Sequence, residues 1–106
     1  MKEIHVFEYT GDFAENKDIA RKLRIGEIEP EIKNGKKVII DFNQVNSATQ
    51  SFVHALLSQV IRDYGPDILL EKLLFRNCNS KIKTVIKIVA EYVQDGIYTE
   101  PEEGGS

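Results

Sequence analysis

The segment Lys37-Val38-Ile39-Ile40-Asp41-Phe42 constrains the fold of this 106-residue chain more than any other. It is a nearly unbroken apolar and β-branched run that follows the turn signal Asn34-Gly35. A strand with one solvated face alternates apolar and polar residues, whereas a continuous apolar run is typical of a strand buried on both faces. The segment therefore predicts a central strand of a parallel sheet.

A long amphipathic helix is predicted after this strand, over residues 50–64. Its apolar residues recur with the 3.6-residue period of a helix: Phe52, Val53, Leu56, Leu57, Val60, Ile61 and Tyr64. Ser47 or Thr49 is of the right type to cap its start, and Gly65-Pro66 ends it. A further strand is predicted at residues 72–76. Strand, helix and strand make a βαβ unit, whose strands run parallel with a right-handed crossover.

The rest of the chain completes a small α/β sandwich. Residues 2–9 alternate as a strand does, and a short helix starts near residues 16–18 and is interrupted by Gly26. A second helical turn lies near Pro30, and a final amphipathic helix covers about residues 81–94.

One domain is expected to span residues 1–98. Residues 99–106, Thr-Glu-Pro-Glu-Glu-Gly-Gly-Ser, contain no apolar anchor, so we expect them to form a disordered tail.

Composition excludes several classes of protein. The net charge of -3 opposes nucleic acid or an anionic membrane as the main partner, and no segment approaches the roughly 20 apolar residues of a membrane span. The single cysteine excludes an internal disulfide and a cysteine-clustered zinc site. Together with the lack of a signal-peptide pattern, it predicts a cytoplasmic protein. No cofactor is expected.

Two loops are expected at the carboxyl ends of parallel strands, and hence at one edge of the sheet, where ligands and partners commonly bind. They are residues 43–51 and 77–80, and they contain few charged groups. Their polar side chains are those of Asn43, Gln44, Asn46, Ser47, Thr49, Gln50, Ser51, Asn77, Asn79 and Ser80. Each loop leads into a helix N-terminus, which favours an anion. Two interpretations remain open: a docking or phosphate-bearing edge, or ordinary caps and turn formers.

Other residues carry weaker signals for chemistry. Asp41 ends the central strand and is predicted either to orient the next loop by accepting its N–H groups or to be a solvated strand end. His5 and His54 have no second ligand at metal spacing, so no metal site is predicted. Cys78 is interpreted as a small hydrophobe. Since no pair of titratable groups is placed for acid–base work, we expect no enzyme.

The charge distribution is uneven along the chain. Its residues from 72 to 87 carry five cations and no acid, whereas acids dominate both ends. The cations are Lys72, Arg76, Lys81, Lys83 and Lys87. This stretch is either a docking surface for an acidic partner or a solvated helix face.

The segment from Val38 to Phe52 resembles the core of STAS domains, the fold of bacterial anti-sigma-factor antagonists. There a hydrophobic strand and a Val precede an Asp-Ser-Ser-Gly motif that opens a helix. The residues Thr49-Gln50-Ser51-Phe52 lie over that motif, and Ser51 is its retained second serine. The Thr-x-Ser-Phe form is similar to the STAS-like domains of unknown function. The likeness covers roughly residues 17–93 and implies a mixed, mainly parallel sheet with amphipathic helices packed on it.

The resemblance implies a non-enzymatic regulatory or protein-interaction module of bacterial signalling. The matching serine of the antagonists is phosphorylated by a kinase with the fold of the histidine-kinase-type ATPases. Carried over, Ser51 becomes the phospho-acceptor, and Ser47, Thr49 and Gln50 become docking contacts. The neighbouring loop adds Asn77, Asn79 and Ser80 as predicted docking residues. The alternative hypothesis is a small-molecule, nucleotide or anion-binding domain that uses the helix N-terminal loops.

Overall fold

The structure, a computed structural model, describes residues 1–94. Within them the strands are β1 (Lys2–His5), β2 (Phe13–Ala14), β3 (Val38–Asp41), β4 (Ser47–Ala48) and β5 (Leu73–Arg76). The helices are α1 (Phe7–Thr10), α2 (Lys17–Leu23), α3 (Glu29–Lys33), α4 (Gln50–Tyr64), α5 (Ile68–Glu71) and α6 (Ser80–Gln94), and a π-helical turn spans Arg24–Ile28. The predicted tail, and residues 95–98 of the predicted domain, lie outside the described residues.

The central position predicted for β3 is confirmed. It pairs in parallel with β1 on one side and with β5 on the other, and all four of its residues are buried. Ile4, Ile40 and Phe75 are register partners in β1, β3 and β5, and their side chains face the helices. Glu3 and Leu74 lie on the opposite face of the sheet and are exposed. The α/β class is therefore as expected from the sequence.

The helical layer is built around α4, whose predicted bounds are confirmed. α4 packs between α2 and α6 and buries seven of its side chains, including Phe52, Leu56 and Leu57, against the sheet and its neighbours. At about 25 cal/mol per Å² of apolar area, burial on this scale is the main force that holds the layers together. No helix in residues 1–94 is both long and apolar enough to cross a membrane.

The sheet itself differs from the mixed sheet that the resemblance implied. Every strand pair in residues 1–94 is parallel, and the strands form two sheets. The second sheet pairs β2 with β4. Ser47 and Ala48 therefore lie in a strand, whereas the sequence analysis predicted a loop at these residues. A two-residue strand leaves no periodic signal, and its pairing depends on contacts with a distant segment.

The predicted strand over residues 2–9 is wrong beyond His5. The N–H of Val6 donates to the carbonyl of Asp41 at 3.0 Å, and the chain then turns into α1. In a strand Val6 and Phe7 would point to opposite faces, whereas the helical turn lets both pack on the core.

The predicted interruption at Gly26 is also wrong. A π-helical turn carries the chain from α2 into α3 without a break, and it leaves Leu23, Ile28 and Ile32 all buried on the core side. Nε of Arg24 lies 3.1 Å from the Glu29 carboxylate across this turn. The single-turn helix α5, after Gly65-Pro66, was not predicted.

Candidate functional site

The carboxyl ends of β3 and β5 place the two predicted loops side by side. The strands are parallel, with Asp41 opposite Arg76 in the register. The side-chain amide of Asn79 donates a hydrogen bond of 2.7 Å to the backbone carbonyl of Asn46 and so ties the loops together. The two segments therefore form one continuous surface at a single edge of the sheet.

Asp41 lies at the centre of this edge, and its side chain is buried. Its Oδ1 accepts hydrogen bonds from the backbone N–H of Asn43 at 2.8 Å and from the side-chain amide of Asn77 at 3.0 Å. Nδ1 of His5 is 3.6 Å from Oδ2. Burial raises the pKa of Asp41, but the two hydrogen bonds and the attraction of His5 and Arg76 outweigh it and place the pKa below its ordinary value. The ionised carboxylate thus contacts both loops.

The loop after β3 begins with a strained turn. The N–H of Val45 closes the turn on the carbonyl three residues before it, at 3.0 Å, and Gln44 takes a left-handed φ of +71°. A residue other than glycine costs about 1 kcal/mol in this region. The burial of Val45 and the hydrogen bond from Asn43 to Asp41 hold the turn in place.

Ser51 is exposed in the first turn of α4. Thr49 caps this helix by accepting the N–H of Phe52 at 3.1 Å, and its Oγ1 lies 3.3 Å from Oγ of Ser51. Phe52 is fully buried in the core. The side chain after Ser51 therefore does not cover the hydroxyl, which lies at the positive end of the helix dipole.

The predicted docking residues divide into two groups. In the first group, Thr49, Asn77 and Asn79 use their side chains for hydrogen bonds within the fold. Asn79 also caps α6 by accepting the N–H of Ile82 at 2.9 Å. The second group, whose side chains make no hydrogen bond to the described part of the chain, is Ser47, Gln50 and Ser80. The cap and turn interpretation thus describes the first group.

Phe13 belongs to the same surface and was missed by the sequence analysis. It is the register partner of Ser47 in the β2–β4 sheet, and 45% of its area is exposed. The N–H of Thr49 continues this ladder by donating to the carbonyl of Ala14 at 2.9 Å. An exposed aromatic residue two positions after Gly11 was the available signal, but only the pairing of β2 with β4 brings it to the site.

Charged side chains also lie at this edge, although the two loops themselves contain few charged residues. Arg76 lies 3.7 Å from the Glu3 carboxylate, and the same carboxylate lies 3.4 Å from Nε2 of His5. His5 and Arg76 are the last residues of β1 and β5 and lie on either side of Asp41, and Glu3 is two residues before the end of β1. In residues 1–94 no three His, Cys, Asp or Glu side chains gather as they would around a metal ion.

Comparison with known families decides where the chain belongs. A family model described as "STAS-like domain of unknown function (DUF4325)" matches residues 20–83, more than half of the chain. The chain belongs to this STAS-like family. No curated protein and no solved structure gives a match. The matched part of this STAS-like domain contains both loops and Ser51, whereas Phe13 lies before it.

Proposed function

We propose that this STAS-like domain is a non-catalytic regulatory module that binds a protein partner, and that Ser51 is its phospho-acceptor. The observation that carries the proposal is the setting of Ser51. Its hydroxyl is exposed in the first turn of α4, at the position that matches the second serine of the antagonist motif. Phe52 replaces the glycine of that motif, yet its ring is buried and leaves the hydroxyl accessible.

A phosphate at Ser51 supplies a switch by simple electrostatics. It adds about -1.5 to -2 charges at neutral pH, and the N-terminus of α4 tolerates an anion there. The free domain keeps its fold, while a partner surface shaped for a neutral hydroxyl would have to desolvate the added charge. Phosphorylation therefore changes the binding of the partner rather than the structure of the domain.

The surface around Ser51 has the composition of a docking site. Phe13 supplies a half-exposed aromatic ring, and Ser47 is its register partner. Gln50 and Ser51 follow in the first turn of α4 and are exposed. Aromatic anchors are enriched in protein interfaces, and the rim around them is polar. The partner that the resemblance implies is a kinase of the histidine-kinase-type ATPase fold. Because such a kinase consumes ATP, we propose that the two proteins meet in the cytoplasm.

A non-catalytic role is supported by how the buried carboxylate is used. Asp41 accepts hydrogen bonds from the N–H of Asn43 and the amide of Asn77, which fix the loops, and its pKa is lowered rather than raised. A general base at neutral pH needs a pKa closer to 7.

The direct test is phosphorylation with purified histidine-kinase-type ATPases from the same genome. The chain is incubated with each kinase and ATP, and the modified residue is mapped by mass spectrometry. We expect one phosphate, on Ser51. Ser51→Ala should abolish it, whereas the control Thr84→Ala, which removes an exposed hydroxyl from α6, should retain it. Phosphate on another residue, or on none with any of these kinases, contradicts the switch.

A nucleotide screen separates this proposal from ligand binding at the same loops. The hydroxyl of Thr49 already accepts the hydrogen bond from the N–H of Phe52, so fewer free backbone donors are left for a phosphate group at the start of α4. We expect ATP, GTP and inorganic phosphate to leave the Tm of the unmodified chain unchanged. A rise in Tm that saturates with nucleotide concentration would favour the ligand-binding function instead.

A further inference from the structure

An open groove lies between β5 and the first two turns of α6. Its volume is about 500 Å³, and it is lined by Phe75, Asn77, Cys78, Lys83, Ile86 and Lys87. Asn77 also donates to Asp41, so the groove borders the edge that carries the candidate site. A partner docked on that edge reaches the groove without crossing the molecule.

The rim of the groove carries two positive charges that no carboxylate of the described residues pairs with. Lys83 and Lys87 are exposed and lie one helical turn apart on the same side of α6. In the part of the chain that the structure describes, no carboxylate lies within ion-pair distance of either ammonium group. Between Glu71 and Glu91 the sequence contains no acid at all. The two cations therefore present charge that a partner can pair.

The lining between these cations is largely apolar. Phe75 and Ile86 are half-buried and pack against the core, so each keeps part of its apolar surface accessible. Cys78 packs beside them, and burial raises the pKa of its thiol, although Lys83 opposes this shift. The thiol is consequently neutral and adds to the apolar lining.

We propose that this groove binds an acidic segment of the partner protein, with an apolar side chain against Phe75 and Ile86 and carboxylates on Lys83 and Lys87. The inference rests on the proposed function only in that the partner is a protein. The groove is open, which suits an extended segment better than an enclosed small molecule. The net charge of -3 repels a long polyanion such as nucleic acid, whereas a short segment experiences mainly the two local cations.

The test uses the unphosphorylated chain and synthetic peptides, so it stands whether or not Ser51 is ever modified. The first probe is a ten-residue peptide with two leucines flanked by four glutamates. The second replaces every glutamate with glutamine, and the third replaces both leucines with serine. Binding is followed by ¹H–¹⁵N correlation spectra of the labelled chain. We expect the first probe to shift the amides of Cys78, Lys83, Ile86 and Lys87, and both altered probes to bind about tenfold or more weakly.

Charge reversal in the chain supplies the matched control. The double change Lys83→Glu with Lys87→Glu should abolish binding of the first probe. The double change Lys36→Glu with Lys37→Glu alters the net charge equally, just before β3 and hence at the opposite edge of the sheet, and should leave the affinity within about twofold.

Three results would overturn the inference. Equal affinity for the glutamate and glutamine peptides would show that the lysines do not pair with carboxylates of the peptide. Amide shifts located outside the groove would show that the peptide binds elsewhere. Tighter binding to single-stranded DNA or to vesicles of anionic phospholipid than to the first peptide assigns the cations to a different class of partner.

Discussion

The side-chain amide of Asn77 donates a hydrogen bond to the carboxylate of Asp41 at 3.0 Å, although the two residues lie 36 positions apart. This bond joins the carboxyl end of the central strand to the loop after β5. The same oxygen accepts the N–H of Asn43, so a single carboxylate contacts both loops of the candidate site. Asp41 is thus the residue whose removal should disturb the site without touching the exposed surface.

Replacement of Asp41 with alanine should lower the free energy of unfolding by about 1–3 kcal/mol at pH 7. The change removes the charged acceptor of two part-buried hydrogen bonds, from the N–H of Asn43 and from the side-chain amide of Asn77. Asp67→Ala is the control, because the Asp67 side chain is exposed and does not cap α5. Urea denaturation measures both variants, and equal losses would show that Asp41 is an ordinary strand end.

The stability contributed by Asp41 should also depend on pH. Its folded pKa lies below the unfolded value, so the ionised form stabilises the fold above the ordinary carboxyl pKa, and the contribution is lost as the pH falls through the folded pKa. Urea titrations between pH 7 and pH 3 should therefore show a shallower acid loss of stability for Asp41→Asn than for the unmodified chain. The same slope in both chains would exclude Asp41 as the titrating group.

Removal of the hydroxyl cap of α4 should cost about 1 kcal/mol. Thr49→Ala leaves the N–H of Phe52 without its acceptor at 3.1 Å, whereas Thr49→Ser keeps the hydroxyl. The expected order of stability by chemical denaturation is unmodified chain, then Thr49→Ser, then Thr49→Ala. If alanine were as stable as serine, the cap would have no energetic role.

The architecture was largely predictable because its elements carry strong local periodicity. The unbroken apolar run of β3 and the 3.6-residue pattern of α4 each specify their own structure, and the parallel βαβ unit follows from them. α1 and the β2–β4 sheet were missed since they depend on tertiary contacts: Val6 bonds to Asp41, and Phe13 pairs with Ser47. The two loops of the site followed from topology, whereas Phe13 required the pairing itself.

A negative charge at Ser51 should leave the fold intact. Ser51→Asp places a carboxylate in the first turn of α4, where the helix dipole favours it by about 0.3–1 kcal/mol at low salt. Gln59→Glu adds the same charge to the same helix, but it replaces the amide that donates to the Asp63 carboxylate at 2.9 Å and puts two acids one turn apart. Thermal denaturation should show opposite shifts in Tm, upward for Ser51→Asp and downward for Gln59→Glu. A large loss of stability in Ser51→Asp would argue against a phosphate at this position.

Phe13 should contribute to partner binding far more than to stability. Because it is 45% exposed, Phe13→Ala should lower the free energy of unfolding by less than about 1 kcal/mol. As an aromatic anchor of the interface, its loss should weaken phosphorylation by the kinase that modifies Ser51 about thirtyfold in kcat/KM, equivalent to about 2 kcal/mol. Tyr64→Ala is the matched control: Tyr64 is 43% exposed at the other end of α4, about 20 Å from Ser51 along the helix. Equal effects of the two variants on phosphorylation would remove Phe13 from the site.

Restoring the glycine of the antagonist motif at position 52 should strongly destabilise the domain rather than improve its switch. Phe52 is fully buried among the core residues of α4. Removal of a buried phenylalanine side chain costs about 3–5 kcal/mol, and glycine in a helix adds about 1 kcal/mol, against a total stability of about 5–15 kcal/mol for a domain. Phe52→Leu keeps an apolar side chain in the core and should fold with a much smaller loss. Circular dichroism during urea denaturation measures both variants, and a Phe52→Gly variant as stable as Phe52→Leu would mean that the ring at this position does not support the core.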